Sequence, residues 1–533
     1  MKTYDFIIVG GGSAGCVLAE RLSANGKHQV CLLEAGPKDK HWSIHLPLGV
    51  IDLMKSRTLN WQFNSHPEKT QNDRRIFNPR GKTLGGSSSV NAMLYTRGQR
   101  EDYDHWAELG NEGWSYEDVL PYFKATQHQE RGECKYHGIN GGLNVAESRS
   151  KPSINEAFFK AANKAGFPLN NDFNGEKQEG IGYYQVTQKN GLRCSSAKAF
   201  LTPNLSRPNL TVLTDVLVEK IEIIDQRASG VQFKSKGRHQ KIYANKEVLL
   251  SAGAFNSPQL LMLSGVGDKE TLAKNDIELV HELKGVGKNL QDHVDTLVVT
   301  HHHRTDLLSF RPKSIWWGIK ESLKFIKNKS GILTSVVAES GGFIKSSPSI
   351  KRPDLQLHFI PGAMDDHGRN TKMLFNYGIA LHVCLLRPKS RGQVSLYGNN
   401  ATLHPKIELN MLDHADDVKT LIKGVKIARE ILSQSPLNEK NGKEIFPGAN
   451  CQSDEAFHEF LKNKANTIYH PVGTCKMGND EMAVVDNELK VHGINALRVI
   501  DASIMPTLIS GNTNAPTIMI AAKVADSILA EHS

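Results

Sequence analysis

Apolar and polar positions change their period along this chain, and each change marks a different kind of element. Asp5 to Val9 is a β-branched apolar run, Gly10 to Gly15 reads as a glycine turn, and Cys16 to Ala24 has helical spacing. Gln29 to Glu34 is a second apolar run, closed by Ala35-Gly36-Pro37, so the opening predicts one βαβ unit. Short strands punctuated by charge are expected from Asn209 to Ile224 and from Ile242 to Ser251. Farther on, Leu355 to Phe359 and Ile379 to Val383 alternate with period two, and Gln393 to Tyr397 reads as a third such strand. Together they predict an antiparallel sheet with two unlike faces. Val418 to Leu432 is expected to be a helix, after which the chain regains its glycine-rich, strand-then-helix character. The pattern is that of an α/β chain (α+β overall). A nucleotide-binding domain is expected from residues 1–40, 72–110, 205–310 and 465–533, with a substrate domain inserted as 41–71, 111–204 and 311–464.

Composition narrows the class without naming it. With 533 residues, 39% of them hydrophobic and 23% charged, the chain is globular and long enough for a large core without covalent staples. Seven cysteines, scattered and odd in number, form no C-x-x-C pair, which argues against a disulfide framework and a zinc site and for a reducing compartment. The net charge of +9 suits an anionic partner such as a membrane surface, whereas no Lys/Arg run of five or more points to nucleic acid. Met1 to Asp5 runs straight into the first strand, and no apolar run reaches the roughly 18 residues of a spanning helix. A cytoplasmic protein is expected, peripheral at the inner face of the membrane if it meets one. Ser314 to Lys329 carries that membrane reading. As a helix it places Ile315, Trp316, Ile319, Leu323 and Ile326 on one face, with Lys320, Lys324 and Lys327 beside it and Lys329 following. The competing reading is an amphipathic helix packed on the substrate domain.

Gly10-Gly11-Gly12-Ser13-Ala14-Gly15 matches G-x-G-x-x-G, with Glu34 closing the second strand and Ala35 next to it. Gly10 permits the tight turn, Gly12 a close approach of backbone N–H groups to a pyrophosphate, and Gly15 close packing of helix on strand. The helix from Ser13 and Ala14 onward directs its positive end at the phosphates, and Glu34 can accept from an adenosine ribose. This is a Rossmann-like dinucleotide site. Gly285-Val286-Gly287-Lys288-Asn289-Leu290 lacks the third glycine and is no second fingerprint. His301-His302-His303 lies in an extended run after Leu297-Val298-Val299, and no metal site is expected there.

Three further stretches carry a resemblance. They are Gly81-Lys82-Thr83-Leu84-Gly85-Gly86-Ser87-Ser88-Ser89-Val90-Asn91, Ser251-Ala252-Gly253-Ala254-Phe255-Asn256-Ser257-Pro258, and a C-terminal set. That set runs from Tyr469-His470-Pro471-Val472-Gly473-Thr474-Cys475 through Leu497-Arg498-Val499-Ile500-Asp501-Ala502-Ser503 to Gly511-Asn512-Thr513-Asn514-Ala515-Pro516-Thr517. In this order they resemble the glucose–methanol–choline (GMC) oxidoreductases, most of all bacterial alcohol dehydrogenases, with choline dehydrogenases as near relatives. The resemblance implies FAD, held by Gly81, Gly85, Gly86, Ser87, Asn91, Val218, Asp501, Ala502, Thr513, Pro516 and Thr517 besides the glycine loop. It implies hydride transfer from a primary, aliphatic alcohol, with His470 as base and Asn514 holding the oxygen, and a quinone or other non-oxygen acceptor. A choline dehydrogenase and a non-redox hydroxynitrile lyase are the alternatives. Glu339 would be the carboxylate for choline, although a structural glutamate is the commoner case. Some relatives attach the flavin through a histidine at the position of Val90; valine has no nucleophile, so FAD is expected to be non-covalent. Asn514, before Ala515-Pro516-Thr517, also reads as the N-cap of a helix running through Ile528.

Overall fold

In the computed structural model, which describes residues 2–533, two seven-stranded sheets face one another across the functional cavity. The first begins with Lys2–Val9, paired in parallel with Val30–Leu33 on one side and with Arg238–Leu250 on the other. Leu210–Leu213 extends it beyond Val30–Leu33. Phe6, Ile7 and Ile8 are buried, as an unbroken apolar run requires when helices cover both faces. The helix Ser13–Ser23 makes the crossover, so the expected βαβ unit is present. Val216–Ile224, Arg227–Ser235 and Arg238–Leu250 form an antiparallel meander in the charged region. The last of these strands changes neighbours along its length. Its beginning pairs with Arg227–Ser235, while Val248–Leu250 takes Leu497–Val499 in parallel. The two ends of the chain thereby share one sheet, and the helix Asn514–Glu531 packs beside Ser13–Ser23.

The second sheet is antiparallel throughout, in the order Asn441–Phe446, Val294–His302, Gly378–Leu385, Leu355–Ile360, Ser340–Ile344 and Gly180–Tyr183, with Asn466–Thr467 also on Val294–His302. Its faces are chemically unlike, as the alternation predicts, yet both are buried. Leu355, Leu357, Phe359, Leu381 and Val383 lie in an apolar core beneath the helix Ala415–Leu432. That helix approaches so closely at Gly424 that a Cβ there would stand 2.4 Å from Val383 Cγ1. The opposite register positions, Asp295, His358 and His382, face the cavity.

Two details differ from the sequence reading. Gln393–Ser395 pairs only with Lys406–Glu408, outside the large sheet, so it is not its third alternating strand. The three residues Gln393–Ser395 are too few to span the sheet, and alternation alone cannot name a partner. Residues 294–302, within the stretch 205–310 grouped above with the nucleotide-binding portion, run through the middle of the antiparallel sheet. No helix among the described residues is long and apolar enough to cross a membrane.

Candidate active site

Parallel α/β sheets bind ligands beyond the carboxyl ends of their strands, and here Val9, Leu33 and Ser251 open on a cavity of about 380 Å³. Its near end is built from the glycine loop. Gly10 has φ +104°, and a Cβ on it would meet Ser251 O at 2.5 Å. A Cβ on Gly15 would stand 1.9 Å from Gly10 O, so helix and turn close together only around glycine. A Cβ on Gly12 would meet nothing nearer than Ser251 O at 3.9 Å, so this side of the loop is open to a ligand. The turn Gly85-Gly86 is left-handed at both residues and ties to the loop through Gly85 N–H donating to Gly11 O at 2.7 Å. The Glu34 carboxylate accepts from Gly11 N and Gly36 N, each at 2.8 Å. Burial nevertheless pushes its pKa up to about 7, against those two N–H groups.

Of the cofactor residues expected from the sequence, Gly10, Gly12, Ser13, Ala14, Glu34, Ala35, Gly81, Gly86, Ser87, Asn91, Val218, Asp501, Ala502, Thr513 and Thr517 line this cavity. Gly15, Gly85 and Pro516 do not; they shape the turns and the helix start behind it. The helix begins at Asn514 with Thr513 as its N-cap, one residue earlier than the sequence suggests, and Pro516 sits in the first turn. Neither cap residue closes the helix with a side-chain bond, so its first N–H groups stay available at the cavity wall. An open glycine loop, two helix N-termini and a long cleft form a cradle that fits a dinucleotide. Val90 lines the cavity and offers no bond-forming atom.

At the far end stands His470. Its backbone N–H donates to Asp292 Oδ1 at 2.8 Å, and the preceding Tyr469 holds φ +73°, a strained value for a non-glycine residue. Arg80 Nη2 donates to Tyr469 O and the Tyr469 hydroxyl meets His367 Nδ1 at 2.8 Å, so the strained residue is held from both sides. The proton on the His470 ring can be assigned. His293 Nε2 faces Leu386 O and Ile509 O, each at 3.1 Å; carbonyls only accept, so this nitrogen carries hydrogen. Burial lowers the His293 pKa to about 3, so the ring is neutral and its Nδ1 is a lone pair. His470 Nδ1, at 2.9 Å, is therefore the donor to it. The remaining nitrogen, His470 Nε2, is left as an acceptor. Burial, reinforced by the Arg80 charge, holds the His470 pKa well below the ordinary histidine value, so this lone pair persists at neutral pH.

The sequence reading pairs His470 with Asn514, and the structure corrects it. Asn512 Nδ2 lies 3.1 Å from His470 Nε2. The Asn512 amide is oriented by Thr96 Oγ1 and Gln356 Nε2, which donate to its Oδ1 at 3.3 and 3.4 Å, leaving its NH2 turned toward the histidine. Asn514 lines the same cavity, but its Oδ1 accepts from Ser13 Oγ at 2.8 Å and joins the C-terminal helix to the glycine loop. A second group that the sequence did not bring together lies on the sheet face. Asp295 Oδ2 accepts from His382 Nδ1 at 2.7 Å and stands 3.3 Å from His367 Nε2. Burial would lift the Asp295 carboxyl, but the two histidines outweigh it and hold it at about 2. Asp295 and His382 meet through the register of adjacent strands, and His367 comes to them from the turn Asp366–Gly368. Glu339 is buried and is not among the residues that line the cavity; Ser335 donates to its Oε1, and its Oε2 has no partner among the described residues.

Two matches decide the family. The GMC oxidoreductase models match residues 4–295 and 388–521. The chain belongs to the GMC oxidoreductase family. This GMC oxidoreductase is 48% identical over 533 residues to an alcohol dehydrogenase [acceptor] of Pseudomonas putida, covering 99% of the chain and 96% of that protein. It is 43% identical to the mitochondrial choline dehydrogenase of Mus musculus, covering 98% and 89%. Among solved structures it is similar to pyridoxine 4-oxidase from Mesorbium loti, with TM-score 0.90 and 26% identity over 99% of both chains. The dinucleotide for which the cradle is built is accordingly FAD.

Proposed function

We propose that this GMC oxidoreductase oxidises primary aliphatic alcohols to aldehydes, with His470 as base and non-covalent FAD. The observation that carries the reading is the lone pair on His470 Nε2, imposed by the His293 relay and paired with the Asn512 amide. A hydroxyl placed between these two atoms gives its proton to His470 Nε2 while Asn512 Nδ2 donates to the oxygen. Bound FAD supplies the hydride acceptor. Besides the polar Asp295, His358, His367 and His382, the cavity wall carries the apolar Val50, Ile51, Met54, Val337, Ile360 and Met364, which suit an aliphatic chain. We read the FAD-binding unit as built on the sheet of Lys2–Val9 and the substrate-binding unit on the antiparallel sheet, with 294–302 and 466–467 on the substrate side. The electron acceptor is read as a quinone or another non-oxygen acceptor, from the likeness to the alcohol dehydrogenase [acceptor].

One observation favours the second reading, a choline dehydrogenase. Asp295 Oδ1 is buried and unpartnered beside the cavity, where a carboxylate attracts an ammonium head. Anaerobic spectra separate the readings. Hexanol is expected to bleach the flavin and choline is not; bleaching by choline alone overturns the alcohol assignment, and bleaching by neither points to lyase chemistry. In His470→Ala, hexanol should reduce the flavin roughly 10²–10⁴-fold more slowly with FAD retained. Reduction at the wild-type rate would remove His470 from the mechanism.

A further inference from the structure

The helix Pro312–Asn328 turns its apolar side away from the protein. Ile315, Trp316, Ile319, Leu323 and Ile326 are 48, 66, 48, 59 and 75% exposed, and helical spacing puts them on one broad face. The side toward the rest of the molecule is formed instead by Ser314, Trp317, Glu321 and Phe325, of which only Ser314 is buried. Exposed Lys313, Lys320, Lys324 and Lys327 border the apolar face on one flank, with Glu321 paired to Lys324 on the inner side. Phe310 and Phe375, 47 and 57% exposed, stand edge to face at 5.4 Å just ahead of the helix. Arg311 Nε donates to Phe375 O and fixes this pair to the helix start. The reading in which the apolar face packs on the substrate domain is thus excluded by the orientation of the helix.

Both ends of this helix lead to the cavity. Before it, Leu308 bridges to Gly362, and Phe310 N–H donates to Leu374 O at 2.7 Å. Leu308 and Leu374 belong to the apolar cluster of Val337, Ala338, Ile360 and Met364, all four of which line the cavity. After it, the turn Ile332–Thr334 packs against the helix and passes directly into Val336 to Ala338. Val50 and Ile51, half-buried members of the same cluster, complete the apolar wall.

An apolar stripe bordered by lysines matches an anionic bilayer, where side chains enter the headgroup boundary and ammonium groups meet phosphate. A second copy of this chain is disfavoured by the same charges, since its own lysines would face these. We propose that Pro312–Asn328, with Phe310 and Phe375, lies in the plane of an anionic membrane surface and that a long-chain alcohol reaches the cavity from the lipid side. The delivery step rests on the aliphatic-alcohol reading; the membrane contact does not.

The holoenzyme tests both parts by flotation with vesicles of phosphatidylcholine alone and with added phosphatidylglycerol, at low and high salt. Wild type should float with the anionic vesicles at low salt and be released as salt screens the lysines. Ile319→Ser/Leu323→Ser/Ile326→Ser alters only exposed side chains and should float at least about tenfold less. Its rate on butanol in buffer should match wild type, while its rate on dodecanol held in vesicles falls in step with flotation. Wild type left in the soluble fraction, or a triple variant that floats equally well, overturns the membrane contact. A concentration-dependent dimer that the triple variant abolishes assigns the face to self-association and overturns it as well. Reduced flotation with unchanged dodecanol oxidation overturns delivery from the lipid. Flotation is read without turnover, so a failed alcohol assignment, seen in the spectra with hexanol and choline, remains distinguishable from a failed contact.

Discussion

The proton transfer proposed for His470 depends on which ring nitrogen carries hydrogen, and that is set two hydrogen bonds away. Leu386 O and Ile509 O take the His293 Nε2–H, His293 Nδ1 takes the His470 Nδ1–H, and the base is left at Nε2. Because burial depresses the His470 pKa, the neutral base survives to lower pH than a free imidazole would. The acid limb of the flavin-reduction rate with hexanol should therefore fall well below pH 6.5. A limb at or above pH 6.5 in stopped-flow measurements would contradict the burial argument. The two asparagines should also separate. Asn512→Ala removes a donor to the substrate oxygen and should slow flavin reduction roughly 10²–10³-fold with FAD kept. Asn514→Ala breaks the bond to Ser13 and should act on FAD retention more than on the rate. If Asn514→Ala were the slower variant with its FAD intact, the pairing of His470 with Asn512 would be wrong.

The segment Leu497–Val499 illustrates how one short strand can depend on a buried ion pair. Arg498 is fully buried and donates to both Glu247 carboxylate oxygens, at 2.7 and 3.1 Å, while also meeting Glu531 at the end of the last helix. His532 Nε2 lies 2.8 Å from the same Glu247, so the close grouping of Glu247, Glu531 and His532 is this ion-pair network. The pair clamps Leu497–Val499 to Arg238–Leu250 and anchors the helix that begins at Asn514. Arg498→Ala would leave the Glu247 carboxylate buried without its partner, a loss of about 3–5 kcal/mol. Urea unfolding should show it as a lowered midpoint with unchanged slope; an unchanged midpoint would mean that strand pairing alone suffices.

The cavity is walled by both sheets, so FAD is expected to hold them together as well as to react. The glycine loop and Ala502 follow strands of the sheet that holds Lys2–Val9, while His358 and His382 stand on the antiparallel one. A ligand bound only by the folded state stabilises it by roughly 2.7 kcal/mol at a hundredfold excess over its Kd. With valine at position 90, acid precipitation should release all yellow colour to the supernatant. The apoprotein prepared at mild acid and high salt should melt several degrees lower and recover on adding FAD. Colour in the pellet would refute non-covalent binding, and an unchanged Tm would refute the bridging role.

Local chemistry made much of this molecule legible in its sequence. Glycine at 15 is needed where the strand turns into the helix because a Cβ would strike Gly10 O within the same few residues, whereas Gly10 closes on Ser251 across the fold and Gly12 leaves room for a ligand. Alternation over Leu355–Phe359 and Ile379–Val383 likewise dictated a sheet with one apolar face, since side chains of successive residues point oppositely. Other outcomes depend on groups remote in sequence. Asn512 and Asn514 flank the start of the last helix with no period to tell them apart, and only Thr96, Gln356 and Ser13 aim one at His470 and the other at the glycine loop. The tautomer of His470 rests on carbonyls of residues 386 and 509, which no motif places near His293. An amphipathic pattern defines the stripe on Pro312–Asn328 but not its direction; the fold turned it outward by seating the helix on Ser314 and Trp317. Patterns set by neighbours along the chain are therefore visible in the sequence, whereas those set by a register or a hydrogen bond across the fold exist only once the sheets have met.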